Sequence, residues 1–144
     1  MYTLRMDKIQ KIVATGFLTE NGKALVVKRS GNEKFLPEYF ELPGGKVNFG
    51  EDPSDGLIRE LMEETNLVIT AGSPFRTFAY VSSDGTRHTV EITYSCTTEN
   101  STTLKLSDAH TEYMWINEEE IDNFLISEEM KKSIQAGFRY LEKK

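Results

Sequence analysis

The sequence predicts a single α+β domain, and three observations predict it. Several short stretches alternate apolar and polar residues, the mark of strands with one buried face. A carboxylate-rich helix with a legible start and stop lies between them, at residues 53 to 65. Near the end, Met130, Ile134, Phe138 and Leu141 recur at helical spacing, as a helix packed on a core requires. Strands, helix, strands, helix is the order of an α+β domain with its central helix on one side of a mixed sheet.

Residues 9 to 18 are rich in β-branched and apolar side chains and read as the first strand. Asn21-Gly22 is a strong short turn signal, so residues 24 to 29 return as the second strand, with Arg29 at its end. Residues 30 to 41 read as a loop carrying Phe35, Tyr39 and Phe40, the last expected to pack beneath it. At the central helix Asp52 is a good N-cap, and Pro53 gives up only an amide that would be orphaned anyway. Leu57, Ile58, Leu61 and Met62 form its apolar stripe, and Asn66 tolerates the left-handed conformation that ends a helix.

Val68-Ile69 starts a further strand, which Ser73-Pro74 punctuates and residues 75 to 82 continue. Ser83 to Thr86 is a turn. Residues 87 to 97 alternate strictly, with Val90, Ile92, Tyr94 and Cys96 on one face and Glu91, Thr93 and Ser95 on the other. His88, beside the turn, reads as a surface histidine. Residues 99 to 103 are a polar loop, and residues 110 to 116 read as the last strand, with Trp115 packed on the core. Asn117 with Glu120 three residues on is a capping-box pattern, so a helix begins at 118; Ser127 caps the final one.

Composition bounds the function. The 144 residues read as one domain, 1–144, with 38% apolar and 28% charged residues, a globular balance. A net charge of −6 disfavours binding to nucleic-acid polymers, where phosphate contacts supply most of the affinity. A small anionic substrate remains compatible if metal ions bridge it to the protein. No apolar run approaches the ~20 residues of a membrane helix, and the N-terminal stretch lacks the pattern of a signal peptide. The single Cys96 fits a reducing, cytoplasmic setting. An alternating strand left at a sheet edge would allow a homodimer.

The stretch at residues 44 to 67, GGKVNFGEDPSDGLIRELMEETNL, asks for a chemical explanation. Glu60 and Glu64 lie four apart, and Glu63 lies three from Glu60 and four from Arg59, the spacings that bring helix side chains together. Crowded carboxylates repel, and a hard divalent cation such as Mg²⁺ removes the conflict. The Gly44-Gly45 pair would let backbone approach a metal or phosphate without an intervening Cβ.

The same stretch resembles the Nudix box, G-x5-E-x7-R-E-U-x-E-E-x-G-U, with U a bulky apolar residue. Gly45, Glu51, Arg59, Glu60, Leu61, Glu63, Glu64 and Leu67 fall in register, and Asn66 replaces the closing Gly. Six identities at about 7% per residue would arise by chance on the order of once in ten million start positions, which sets aside a merely solvated acidic face. The preceding Leu42-Pro43-Gly44-Gly45 also matches the family's lead-in, and His110, Glu112, Tyr113 and Trp115 match its late region, where Ala109 departs from the pattern.

The resemblance implies an α/β/α sandwich and a hydrolase acting on a nucleoside diphosphate linked to another group. It further implies Mg²⁺, with Mn²⁺ as a substitute, held by Gly44, Glu60, Glu63 and Glu64. Arg59 would orient the carboxylates, Glu51 and Gly45 would support them, Arg29 would face substrate phosphates, and Glu60 would serve as base, with Asp108 or Glu112 as alternatives. A nucleoside triphosphate, ordinary or oxidised, is the first expectation for substrate, and ADP-ribose or another nucleotide sugar the second. A non-catalytic nucleotide-sensing module is disfavoured, because such modules lose box carboxylates and all four glutamates are present here.

Overall fold

The computed structural model describes residues 7–144; the first six residues of the N-terminal stretch read above for a targeting signal lie outside them. Seven strands, two α-helices and one 3-10 helix follow in the order β1 (Ile9–Glu20), β2 (Lys23–Arg29), β3 (Phe40–Glu41), β4 (Gly44–Lys46), α1 (Pro53–Thr65), β5 (Ile69–Val81), β6 (Arg87–Thr98), β7 (His110–Ile116), the 3-10 helix (Glu118–Asn123) and α2 (Glu128–Glu142). The expected α+β sandwich is present, with a mixed sheet. Among the described residues no helix is long and apolar enough to cross a membrane.

β1 is the spine. It runs parallel to β6 from Ile9 to Leu18, antiparallel to β4 at Val13–Thr15, and its end turns back through Asn21-Gly22 into antiparallel β2. β5 lies antiparallel beyond β6, and β2 carries β3 and β7 as further neighbours. Two short strands depart from the loop expected at 30 to 41 and from the bare Gly turn after it. Both β3 and β4 have at most three residues, too few for alternation to register in sequence. Ser73-Pro74 does not end β5 but marks register shifts within it, since an edge strand absorbs a proline as a bulge.

Two apolar cores lie on opposite faces of the sheet. Ala14, Leu18, Leu57, Leu61, Tyr94 and Cys96 belong to one, under α1. Phe17, Val26, Ile116, Met130 and Ile134 belong to the other, under α2. The helix ends are those the sequence announces. The Asp52 carboxylate accepts from Ser54 N–H at 3.0 Å, Asn66 sits at φ 60°, and Ser127 accepts from Met130 N–H at 3.3 Å. The helix expected at 118 is a six-residue 3-10 turn closed by the Asn117–Glu120 capping box. Leu141, expected in the core stripe, is exposed: the buried residues of α2 end at Gly137, before its last turn.

Packing is tight where α2 crosses β1. A Cβ on Gly137 would stand 2.5 Å from the ring of Phe17, which is fully buried among Phe75 and Phe138. Gly137→Ala sets a helix-propensity gain of about 1 kcal/mol against an overpacking cost of about 1–3 kcal/mol. Net destabilisation is expected, read as a lower denaturant midpoint with an unchanged slope. A stabilised variant would show that the ring yields freely.

Candidate active site

The Gly44-Gly45 turn and α1 are brought together by the pairing of β4 with β1. Gly44 pairs with Thr15 and Gly45 with Ala14, while Leu57 and Leu61 of α1 lie against Gly16 of the same strand. Both glycines are sterically required. A side chain on Gly44 would strike the Ala14 carbonyl, and one on Gly45 would occupy the place of the Glu60 carboxylate.

Arg59 gathers most of the acidic cluster. Its Nε donates to Glu51 Oε2 at 2.9 Å, and its terminal nitrogens donate to Glu51 Oε1 and Glu60 Oε1 at 3.0 Å and to both Glu63 oxygens at 3.3 Å. The Lys46 carbonyl accepts from it at 2.9 Å, tying the helix to β4. The Glu51 hydrogen bond is the main cause that raises the Arg59 pKa further above its ordinary value. In return, the bonds from Arg59 and then from Asn48 N–H hold Glu51 down at about 2. Glu51 is therefore a bracket that fixes the loop and the guanidinium together.

Glu64 stands apart from this clamp. It is buried, it accepts from Gly44 N–H at 3.2 Å, and burial pushes its carboxyl up to about 9. The negative charges of Glu41, Glu60 and Glu63 push the same way. Glu63 lies at the solvent edge, with its side chain 57% exposed.

Two residues outside the expected set complete the cluster. His110, at the start of β7, is buried; its Nε2 is 3.0 Å from Glu41 Oε2, and its Nδ1 faces Glu64 Oε1 at 3.5 Å. That Nδ1 is fully buried and has no hydrogen-bond partner. Glu41, from β3, also accepts from Arg29 through both oxygens at 3.2 and 3.3 Å. Arg29 further donates to the Phe35 carbonyl at 2.9 Å, so its guanidinium is fixed beside the cluster rather than free. Glu112 is not brought in. It lies exposed on β7, 3.7 Å from Lys28, and Asp108 is exposed as well. His110 was visible in the late-region match, but nothing in the sequence indicated that it, rather than Glu112, points inward. Glu41 gave no signal, because strand β3 is too short to announce its faces.

A second buried carboxyl lies on β6. Glu91 faces away from α1, and burial followed by the charge of Glu41 pushes it up to about 7. On this face Thr15 and Thr93 bond each other at 3.0 Å, so the interior beside Glu91 is polar.

The carboxylates fit a divalent cation. Glu64 is a buried carboxyl whose ionisation is opposed by its neighbours Glu41, Glu60 and Glu63, while Arg59 is engaged by other carboxylates, so a cation would supply the charge that its ionised form lacks. All donors are hard oxygens, as Mg²⁺ prefers. Among the described residues, no three such groups already stand close enough to cage an ion.

The NUDIX domain family model matches residues 10–137. The 8-oxo-dGTP diphosphatase of Escherichia coli strain K12 is 29% identical over 75 residues, 52% of this chain and 57% of that protein. The ADP-ribose pyrophosphatase of Methanocaldococcus jannaschii is 29% identical over 83 residues, 58% of this chain and 48% of that protein. These matches thus span about half the length of each relative. The crystal structure of the MutT protein from Methanosarcina mazei Go1 superposes with a TM-score of 0.81 at 25% identity, covering 97% of this chain and all of that one.

Glu64 gives a pH signature in the metal-free protein. Its folded value of about 9 lies above the ordinary 4.5, so between these values the unfolded state binds fewer protons than the folded one. Stability therefore falls as pH rises through that window, by up to about 1.4 kcal/mol per pH unit from this group. Glu64→Gln should flatten the decline and raise the melting temperature at pH 8 in chelator. An unchanged slope in a folded variant would refute the assignment.

Proposed function

The chain belongs to the NUDIX domain family, and from that premise we propose that it is a divalent-metal-dependent hydrolase of a nucleoside triphosphate, ordinary or oxidised, releasing monophosphate and pyrophosphate. What carries this is the meeting of buried Glu64 and clamped Glu60 at the Gly44-Gly45 turn. In the reaction, water oxygen bonds to phosphorus, the bridging P–O bond breaks, pyrophosphate leaves with the electron pair, and the water gives up a proton.

Glu60, Glu63 and Glu64, with a carbonyl of Gly44, would hold Mg²⁺ or Mn²⁺, which when bound supplies neutralisation of phosphate charge and acidification of water. Arg59 keeps Glu60 and Glu63 oriented through its bonds to both, and Glu51 keeps Arg59 in place. Glu60 takes the proton of the attacking water. Its carboxylate lies against the Gly45 backbone, where no side chain screens it from a phosphate. Arg29, fixed by Glu41 and the Phe35 carbonyl, presents positive charge toward the phosphates. His110, held by Glu41 at Nε2, faces Glu64 Oε1 with its Nδ1 at 3.5 Å.

The match to a diphosphatase of 8-oxo-dGTP and the likeness to a MutT protein support a triphosphate substrate. The match to an ADP-ribose pyrophosphatase supports a second reading, cleavage of a nucleotide sugar at its diphosphate. Products separate them: pyrophosphate from a triphosphate, two monophosphates from ADP-ribose.

A panel of nucleotides should give metal-dependent pyrophosphate release, abolished by chelator and restored by Mg²⁺ or Mn²⁺. Glu60→Gln and Glu63→Gln should each lower turnover at least about a hundredfold with the fold intact. Metal-independent activity, or a folded Glu63→Gln with near wild-type turnover, would overturn the mechanism.

A further inference from the structure

Glu91 has no role in the chemistry proposed above, and its surroundings are costly for a carboxyl. It is 6% exposed on the central strand β6. Among the described residues no side-chain hydrogen bond or ion pair reaches its oxygens, and they are not sealed from solvent, since His110 Nδ1 is the one fully buried side-chain atom left without a partner. A buried acid without a partner is rare in a native fold and is retained for a reason. The charged groups around it do not supply one. Arg76 is committed to the Glu129 carboxylate at 2.7 Å and the Ser133 hydroxyl at 2.6 Å. Arg29 is committed to Glu41, and Glu41 itself repels. Lys11, on β1, adds attraction from a distance without a contact.

Beside Glu91 lies an aromatic wall. Across the ladder on β5 stands Phe78, followed on the same face by Tyr80, their rings 6.1 Å apart at 25°. Phe35, from the 30–39 loop, lies flat on Tyr80 at 5.8 Å and 8° while remaining 54% exposed, and the Arg29 guanidinium is 5.9 Å from its ring. In the other direction Glu91 pairs with Val13 of β1, and Val13 with Lys46 of β4, so the Gly44–Lys46 strand is two strands away. That is about 10 Å, the span of a nucleoside between a base edge and its phosphates.

We propose that Glu91 reads the base of the substrate, and that this base is of guanine type and lies along the Phe35–Tyr80 wall. This rests on the functional reading above for the phosphate end alone. An ionised carboxylate accepts only, and its two oxygens are matched by the adjacent N1–H and 2-amino donors of guanine. A protonated carboxyl offers one donor and one acceptor, matched by guanine O6 and N1–H. Adenine, cytosine and uracil each set a single donor beside an acceptor, so they pair through two bonds with the protonated form alone. Guanine is thus the common base that satisfies Glu91 in both states. The ring meanwhile packs on the aromatic wall, a contact tolerant of any base.

Equilibrium binding of GMP, IMP, AMP and UMP to the full chain tests this without metal or turnover. GMP should bind about tenfold or more tightly than AMP or UMP, as expected for one bidentate base contact. IMP, which lacks the 2-amino group, should bind more weakly than GMP. Glu91→Gln should bring GMP and IMP to parity, because the amide accepts one N–H and not two. Glu91→Leu should erase the preference for GMP while raising the melting temperature, since it removes an unpartnered buried acid. A purely structural glutamate would lose stability instead. Phe35→Ala should weaken all four nucleotides by a similar factor. The proposal is overturned if the wild type shows no base preference, or if a folded Glu91→Leu keeps the GMP preference. Pyrophosphate release measured in parallel judges the hydrolase reading separately, since it can succeed or fail whichever monophosphate binds.

Discussion

The Arg59 clamp is the interaction on which the site depends. One guanidinium spans the turn before α1, the helix itself and strand β4, through Glu51, Glu60, Glu63 and the Lys46 carbonyl. Five N–H donors in a fixed plane make that possible; an ammonium at the same place could not set several carboxylates in defined directions at once. Without the clamp, like charges on one helix face would push the acids apart and fray the turn they share. Glu51 anchors the clamp from outside the helix, so the seven residues between it and Arg59 are set by geometry rather than by packing.

The interior around the site trades stability for chemistry. Glu64 and Glu91 are both buried carboxyls, and Thr15, Thr93 and His110 line the space near them. A fold maximising stability would fill this space with apolar side chains, as the two flanking cores do. Instead the sheet keeps apolar residues facing α1 and against α2, and reserves a polar strip between. Both faces of β6 are therefore buried, one for packing and one for polar groups. An alternating pattern commonly marks one dry and one wet face, yet here it marks two kinds of interior.

Much of this was legible from residues alone. Asp52, Pro53 and Asn66 fixed the limits of α1, because caps act through bonds within a few residues. Ser127 did the same for α2. The box spacing put Arg59 within reach of Glu60 and Glu63, since helix geometry is local. Glu41, His110 and Glu91 were not legible as site residues. Their meeting depends on β3, β7 and β6 arriving from positions up to 69 residues apart, as between Glu41 and His110. Glu112 shows the converse: it shares a motif with His110, but its place on β7 turns it to Lys28 and solvent.

The sequence by itself determined the helix, its caps, the carboxylate spacing and the alternation of each strand. These follow from interactions over three or four residues or from the two-residue strand period. Tertiary structure alone decided which carboxylates are dry and which wet. Glu63 and Glu64 are neighbours in sequence with the same chemistry, but α1 turns one to solvent and presses the other against the Gly44 turn and His110. Burial, which sets how strongly an acid seeks a cation, is a property of the surfaces that meet, and no local spacing encodes it.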